Sequence, residues 1–206
     1  MCKICGFNTE KFNHKGITYE KCLNCMFIAK SEINMVDSKT EYERYLKHTN
    51  DNNASYVEYQ KKFYFEIKQF LGKKSLDFGC GNNHILSTIL NEEKYDNDYY
   101  DLFFYPNKVY LDNKYDSIIL EEVIEHLKNP LNTLIELKAC LNDNGVLIIK
   151  TEFIKNDFIN WWYIRDITHI SFFNKRTFEI ISELLGLSII YCNEKNLIIL
   201  KKVKVC

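Results

Sequence analysis

The feature that most constrains this chain is an alternation. Short apolar runs ("SLDF" at 75–78, "SIIL" at 117–120, "VLIIK" at 146–150) recur between segments of helical period. In the longest such segment Tyr56, Tyr59, Phe63, Ile67 and Phe70 return every three or four residues, and Gly72 closes it. Further helices are expected from about His84 to Leu90, from Asn129-Pro130 onward, and over 176–185 with Gly186 as the stop. On the second of these, Leu131, Leu134, Ile135, Lys138 and Leu141 are expected to share one face. Strands alternating with helices specify an α/β fold, a mostly parallel sheet with helices on both faces. The closing pair, "LSIIYC" and "NLIIL", is joined by a short turn and predicts an antiparallel C-terminal edge strand.

With 206 residues, 46% of them hydrophobic and with 14 Tyr and 14 Phe, the chain suits one ordinary globular domain plus a small appendage. The formal net charge is -1 and the lysine pairs at 61–62, 73–74 and 201–202 form no basic stripe, so no nucleic-acid partner is expected. No window of about 18 apolar residues predicts a membrane span, and no apolar signal core opens the chain. The expected location is cytoplasmic, and nothing in the pattern sets an oligomeric state.

Cys2-x-x-Cys5 and Cys22-x-x-Cys25 stand sixteen residues apart (6 to 21). Two such knuckles offer four thiolates to one Zn²⁺, with no open coordination position, which makes the metal structural. Four ordinary cysteines would need two chance pairs within 25 residues. His14 then has no ligand position to fill, while Cys80, Cys140, Cys192 and Cys206 read as core or terminal thiols.

In "LDFGCGNN", Asp77 ends a strand and Gly79 and Gly81 let the backbone turn and approach a ligand; Asp101 ends the next strand, 22 residues beyond Gly79. A glycine loop with an acidic partner suits NAD or S-adenosylmethionine (SAM). A dinucleotide needs a third glycine for its pyrophosphate, and positions 82–84 are Asn-Asn-His. SAM carries no phosphate, and its cationic groups suit nearby carboxylates.

These segments resemble the class I SAM-dependent methyltransferases. "LDFGCG", "YYD", "YDSIILEEVIEHLKNP" and "LNDNGVLIIKT" are similar to the family's successive motifs, and "WWYIRDITHISFF" to an element before its last helix. The front end, with the cysteine knuckles and "RYLKHTND", is similar to a short bacterial subgroup with a zinc ribbon. The resemblance implies a Rossmann-like methyltransferase sheet preceded by that ribbon: a four-cysteine ribbon at 1–30, a helical linker or lid at 31–72 and the catalytic domain at 73–206. It implies a SAM site built from Asp77, Gly79, Cys80, Gly81, Asp101, Leu102, Glu121 and Glu122. The departures are Asn82-Asn83 and Asn144, where the family carries glycine or proline; asparagine tolerates left-handed backbone better than other non-glycine residues.

Methyl transfer needs donor and acceptor in line and a base if the acceptor is a hydroxyl or carbon acid. Glu121, Glu122, Glu125 and His126 cluster after the fourth strand, and Glu122, Glu125 and His126 are also spaced to hold a divalent ion; a capped helix start is the bland alternative. Asp166, Thr168 and His169 sit among Trp161, Trp162, Tyr163, Phe172 and Phe173, as a carboxylate-oriented base in a substrate wall or as a polar knot on the core. His126, His169 and Asp166 are the catalytic candidates, and Tyr45 with His48 forms a candidate lid pair. No Asn/Asp-Pro-Pro-Tyr/Phe element is present, which argues against nucleobase or glutamine amino groups. The expected reaction is methylation of an oxygen or carbon acceptor on a small molecule, a sugar or quinol-type metabolite. The alternative is a catalytically weak or inactive module that binds a partner through its ribbon.

Overall fold

The computed structural model describes residues 1–47 and 54–203; His48, the Asn/Asp cluster at 50–53 and Cys206 lie outside the described residues. From the N-terminus, β1 (Thr9–His14), β2 (Ile17–Cys22) and β3 (Ile28–Lys30) precede α1 (Ser38–Lys47) and α2 (Ala54–Ile67). Then come β4 (Lys74–Phe78), α3 (Ile85–Glu92), β5 (Asp96–Tyr100), β6 (Tyr115–Glu121), α4 (Pro130–Ala139) and β7 (Leu141–Lys150). The two-residue β8 (Ser171–Phe172), α5 (Lys175–Leu185), β9 (Leu187–Cys192) and β10 (Leu197–Lys202) complete the chain.

The main sheet runs β5-β4-β6-β7-β10-β9. Its first four strands are parallel, and β10 is antiparallel to both neighbours. The strands read as continuous apolar runs because helices cover both faces. Ile118, Leu120, Leu147, Ile149, Ile198 and Leu200 pack with Leu134 and Leu137 of α4 and Phe178 and Ile181 of α5. The alternate residues Ile119, Val146, Ile148, Leu197 and Ile199 pack with Phe63 and Ile67 of α2 and Leu86 and Leu90 of α3. This is the α/β architecture that the motifs imply. The closing pair forms the expected antiparallel edge: β10, whose first four residues are buried, takes the inner place, and the half-exposed β9 lies antiparallel to it at the edge.

One local expectation changes, and two further local features follow from the structure. Helix α4 ends at Ala139, so its buried residues are Pro130, Leu134 and Leu137; Ile135 is half exposed and Leu141 opens β7. Helix α1 starts at Ser38, just after Asp37, whose Oδ1 accepts from the Thr40 N–H at 2.8 Å. The turn before "VLIIK" is part of β7, a bulge in which Asn144 takes the left-handed conformation (φ 64).

The N-terminal strands form a second sheet, β1-β2-β3-β8, whose last strand comes from far along the chain. Under it lie Tyr19, Ile28, Phe158, Trp161, Tyr163, Ile164 and Phe172. The cysteine pairs, with Ile4 and Phe27, join the same core as α4 and α5. No helix among the described residues is long and apolar enough to cross a membrane.

Candidate active site

At the carboxyl ends of β4 to β7 lies a cavity of about 1450 Å³. The chain leaves β4 for β5 on one side and returns to β6 on the other, and such a switch point is where open α/β sheets place ligands.

The glycine loop forms one wall. Gly79 has φ +85, and a Cβ there would stand 2.3 Å from Val123 Cγ2, so only glycine fits. Its N–H and that of Cys80 donate to the Tyr100 carbonyl at 2.7 and 3.1 Å. Gly81 has φ +68 with open space where a Cβ would project, and its N–H donates to Asp101 Oδ2 at 3.0 Å. Asp101 Oδ1 accepts from the N–H groups of Phe103 and Phe104 at 2.9 and 3.1 Å. One carboxylate therefore ties the glycine loop to the turn after β5. Cys80 lines the cavity, where burial pushes its thiol up, and Leu102 stands exposed at the mouth. Asp77 lies beneath the loop, outside the lining; Ser87 Oγ donates to it at 2.7 Å, and burial pushes the carboxyl up to about 7. The non-glycine residue of this loop that takes left-handed backbone is His84 (φ 36), not Asn82 or Asn83. Its ring stacks on Tyr99 at 4.8 Å and approaches the Tyr105 hydroxyl at 3.1 Å. That hydroxyl donates to the Asn82 carbonyl at 2.8 Å, so side chains brace a turn that glycines usually make.

The opposite wall carries the polar cluster. The fully buried Glu125 and the half-buried Glu122 (φ 52) both face the Tyr163 hydroxyl, at 2.5 and 2.9 Å. Burial, and for Glu125 the neighbouring Glu122 charge, raises both carboxyls above the usual range. His126 and His169 lie with ring centroids 4.8 Å apart. His126 Nδ1 is 3.1 Å from the Thr168 carbonyl and His169 Nδ1 is 2.8 Å from the Tyr163 carbonyl. Asp166 accepts from the Thr168 N–H and hydroxyl at 3.0 and 2.6 Å and pairs with Arg44 at 2.8 Å. Burial opposes its charge, but the Thr168 bonds, His169 and Arg44 together hold it well below the usual carboxylate range. Of the aromatic stretch only Trp162 and Tyr163 line the cavity, while Trp161, Phe172 and Phe173 are core.

Helix α1 spans both walls. Tyr42 contacts Phe103 and Phe104 (5.8 Å), and Tyr45 contacts Phe103 (5.6 Å) and the His126 ring (5.5 Å). Arg44 and Lys150 escaped the sequence reading. Lys150 Nζ sits 3.0 Å from Glu121 Oε1 and 4.2 Å above the Tyr59 and Phe63 rings. A lysine ending an apolar strand is the only local signal for it, and Arg44 has none.

The four N-terminal cysteines converge: ligand atoms of Cys2, Cys5, Cys22 and Cys25 all lie within 4.8 Å of one another. Two pairs of sulfurs stand at 3.6 and 3.5 Å, too far for a disulfide of about 2.05 Å and close to the spacing of about 3.8 Å that four Zn–S bonds of about 2.3 Å impose. Backbone N–H groups of Ile4, Asn24 and Cys25 approach Cys2 and Cys22 sulfurs at 3.4 Å. The donor set fits a tetrahedral thiolate site.

A family model described as "Methyltransferase domain" matches residues 45–191, most of the chain. The chain belongs to this methyltransferase family. No curated protein matches it. Among solved structures, an O-methyltransferase family protein from Burkholderia thailandensis has a TM-score of 0.58 at 11% identity, over 80% of this chain and 63% of that one. The chain thus spans less than two thirds of that protein. A 1,6-didemethyltoxoflavin-N1-methyltransferase from the same organism aligns over 96% of this chain and 100% of its own, with a TM-score of 0.55 at 8% identity. A SAM-dependent methyltransferase from Archaeoglobus fulgidus aligns over 81% of this chain and 100% of its own (TM-score 0.53, 19% identity). At these identities the likeness is one of fold, and the Rossmann-like methyltransferase fold is the one they share.

Proposed function

We propose that the chain is a SAM-dependent methyltransferase acting on an oxygen or carbon acceptor of a small molecule, of sugar or quinol type, in the cytoplasm. The observation that carries the reading is the Gly81 N–H on the Asp101 carboxylate, in one cavity with Glu122, His126 and His169. Family membership supports it, as does the S-adenosylhomocysteine bound in the didemethyltoxoflavin enzyme. The cofactor fits the wall: it needs no phosphate cradle, and Gly81 leaves open space beside a fixed carboxylate. When bound, SAM supplies an electrophilic methyl group on a sulfonium sulfur. Asp101 would accept from its ribose hydroxyls, with Gly79, Cys80, Leu102, Glu121 and Glu122 around it and Asp77 bracing the loop from below. His126 and His169 would receive the acceptor and its proton, with Asp166 positioning the loop that carries His169. The ribbon at 1–30 would hold a structural Zn²⁺ through Cys2, Cys5, Cys22 and Cys25, with 31–72 as a lid and 73–206 as the catalytic domain.

Titration calorimetry with SAM and S-adenosylhomocysteine tests this reading. One equivalent of each should bind, and Asp101→Ala should abolish binding. The variant should also melt earlier, because three backbone N–H groups lose a charged acceptor, each such bond being worth about 1.5–3 kcal/mol. No binding of either ligand at millimolar concentration would sink the enzyme and leave a partner-binding module.

A further inference from the structure

We infer that Glu125, His126 and His169 hold a divalent first-row transition-metal ion on the acceptor side of the cavity. One potential ligand atom of each lies within 4.8 Å of the others. Metal–ligand distances of about 2.0–2.2 Å put neighbouring ligands about 3.0–3.4 Å apart, so binding draws the widest pair together by roughly an ångström or more through side-chain rotation. Two histidines and one carboxylate form a three-ligand face that leaves coordination positions open.

The surroundings are those of a built site. A backbone carbonyl can only accept, so Nδ1 of each imidazole donates, His126 to Thr168 and His169 to Tyr163. That fixes the tautomer in which Nε2 carries the lone pair, the usual outer-shell arrangement of a metal-binding histidine. Glu125 is oriented in the same way, by the Tyr163 hydroxyl on Oε1. Its other oxygen, Oε2, is fully buried and has no hydrogen-bond partner among the described residues. An uncompensated buried carboxylate oxygen is costly, and a cation between Glu125 and the imidazoles removes that cost. The two nitrogen ligands select Mn²⁺, Fe²⁺, Co²⁺ or Zn²⁺ over Mg²⁺. The open positions face the cavity, so the acceptor would present an oxygen donor, a hydroxyl or enol whose proton the cation loosens. That consequence rests on the methyltransferase reading; the metal site does not.

The test uses Mn²⁺ on the full chain loaded with a single equivalent of Zn²⁺ and cleared of excess, an equivalent the four cysteines take because thiolates prefer the softer ion. Electron paramagnetic resonance should count one Mn²⁺ bound per chain, and pulsed spectra should show nitrogen coupling from imidazole. Glu125→Gln, His126→Gln and His169→Ala should each weaken Mn²⁺ at least about tenfold, while His14→Ala leaves it unchanged. Circular dichroism identifies any variant that fails to fold, and the nitrogen coupling of the unmutated protein decides without variants. No Mn²⁺ bound at millimolar concentration, or Mn²⁺ bound without nitrogen coupling, overturns the proposal. Neither result depends on SAM, so failure here is distinct from failure of the proposed reaction.

Discussion

Asp77 is a buried carboxyl that accepts from the Ser87 hydroxyl beneath the glycine loop. Burial pushes it up to about 7, whereas an exposed aspartate in the unfolded chain titrates near 3.9. Between those values the folded chain binds the extra proton, so the stability that Asp77 contributes is complete below about pH 4 and is lost as pH rises through about 7. Asp77→Asn keeps an acceptor for Ser87 and removes the titration. Melting curves from pH 4 to 8 should therefore show the unmutated protein falling relative to the variant, and parallel curves would mean that the carboxyl is not neutral in the fold. At this scale the glycines and the two aspartates were legible, because φ > 0 and a strand-ending carboxylate leave a signature in residue type. The left-handed His84 was not. Its conformation is sustained by Tyr99 and Tyr105, which are close in space and distant in sequence.

Helix α1 has no buried residue of its own, yet it touches the turn after β5 through Tyr42 and Tyr45 and the acceptor wall through Arg44 and Tyr45. An element with so little core holds its place by these side contacts. Arg44→Ala removes a half-exposed ion pair, whose stability effect is small after solvent screening, about 0–1 kcal/mol. Amides in 38–47 should exchange hydrogen several-fold faster in the variant, and the KM for the acceptor should rise while SAM affinity holds. Unchanged exchange would show that the latch lies elsewhere. Among the elements legible in advance were those whose burial is two-sided or whose ends carry Gly or Asn-Pro, such as β4, β6, β7, α4 and α5. Strand β8 was not. Its two residues become a strand only because β3 lies beside them.

Across the whole molecule the ribbon and the acceptor wall form one continuous structure. Thr177 Oγ1 donates to the Cys25 carbonyl, Lys30 Nζ to the Ile167 carbonyl, and the Ile170 N–H to the Glu125 carbonyl, at 2.9 Å in each case. Stripping metal from the four cysteines should expose thiols to a colorimetric reagent, lower Tm by several degrees, and cut turnover more than SAM affinity. Equal loss of both would place the ribbon's influence on the cofactor side. The knuckle spacing made the convergence of the four cysteines legible; their connection to the wall that carries Glu125 was not, since it joins residues from opposite parts of the chain. The same seam sets a timetable for synthesis. A ribosome delivers β1 to β3 first and their fourth partner only after the entire parallel half of the main sheet. Throughout that interval β3 is an open sheet edge, the kind of surface that recruits stray strands. Misassembly of this chain should therefore be most frequent midway through translation and fall once β8 has emerged.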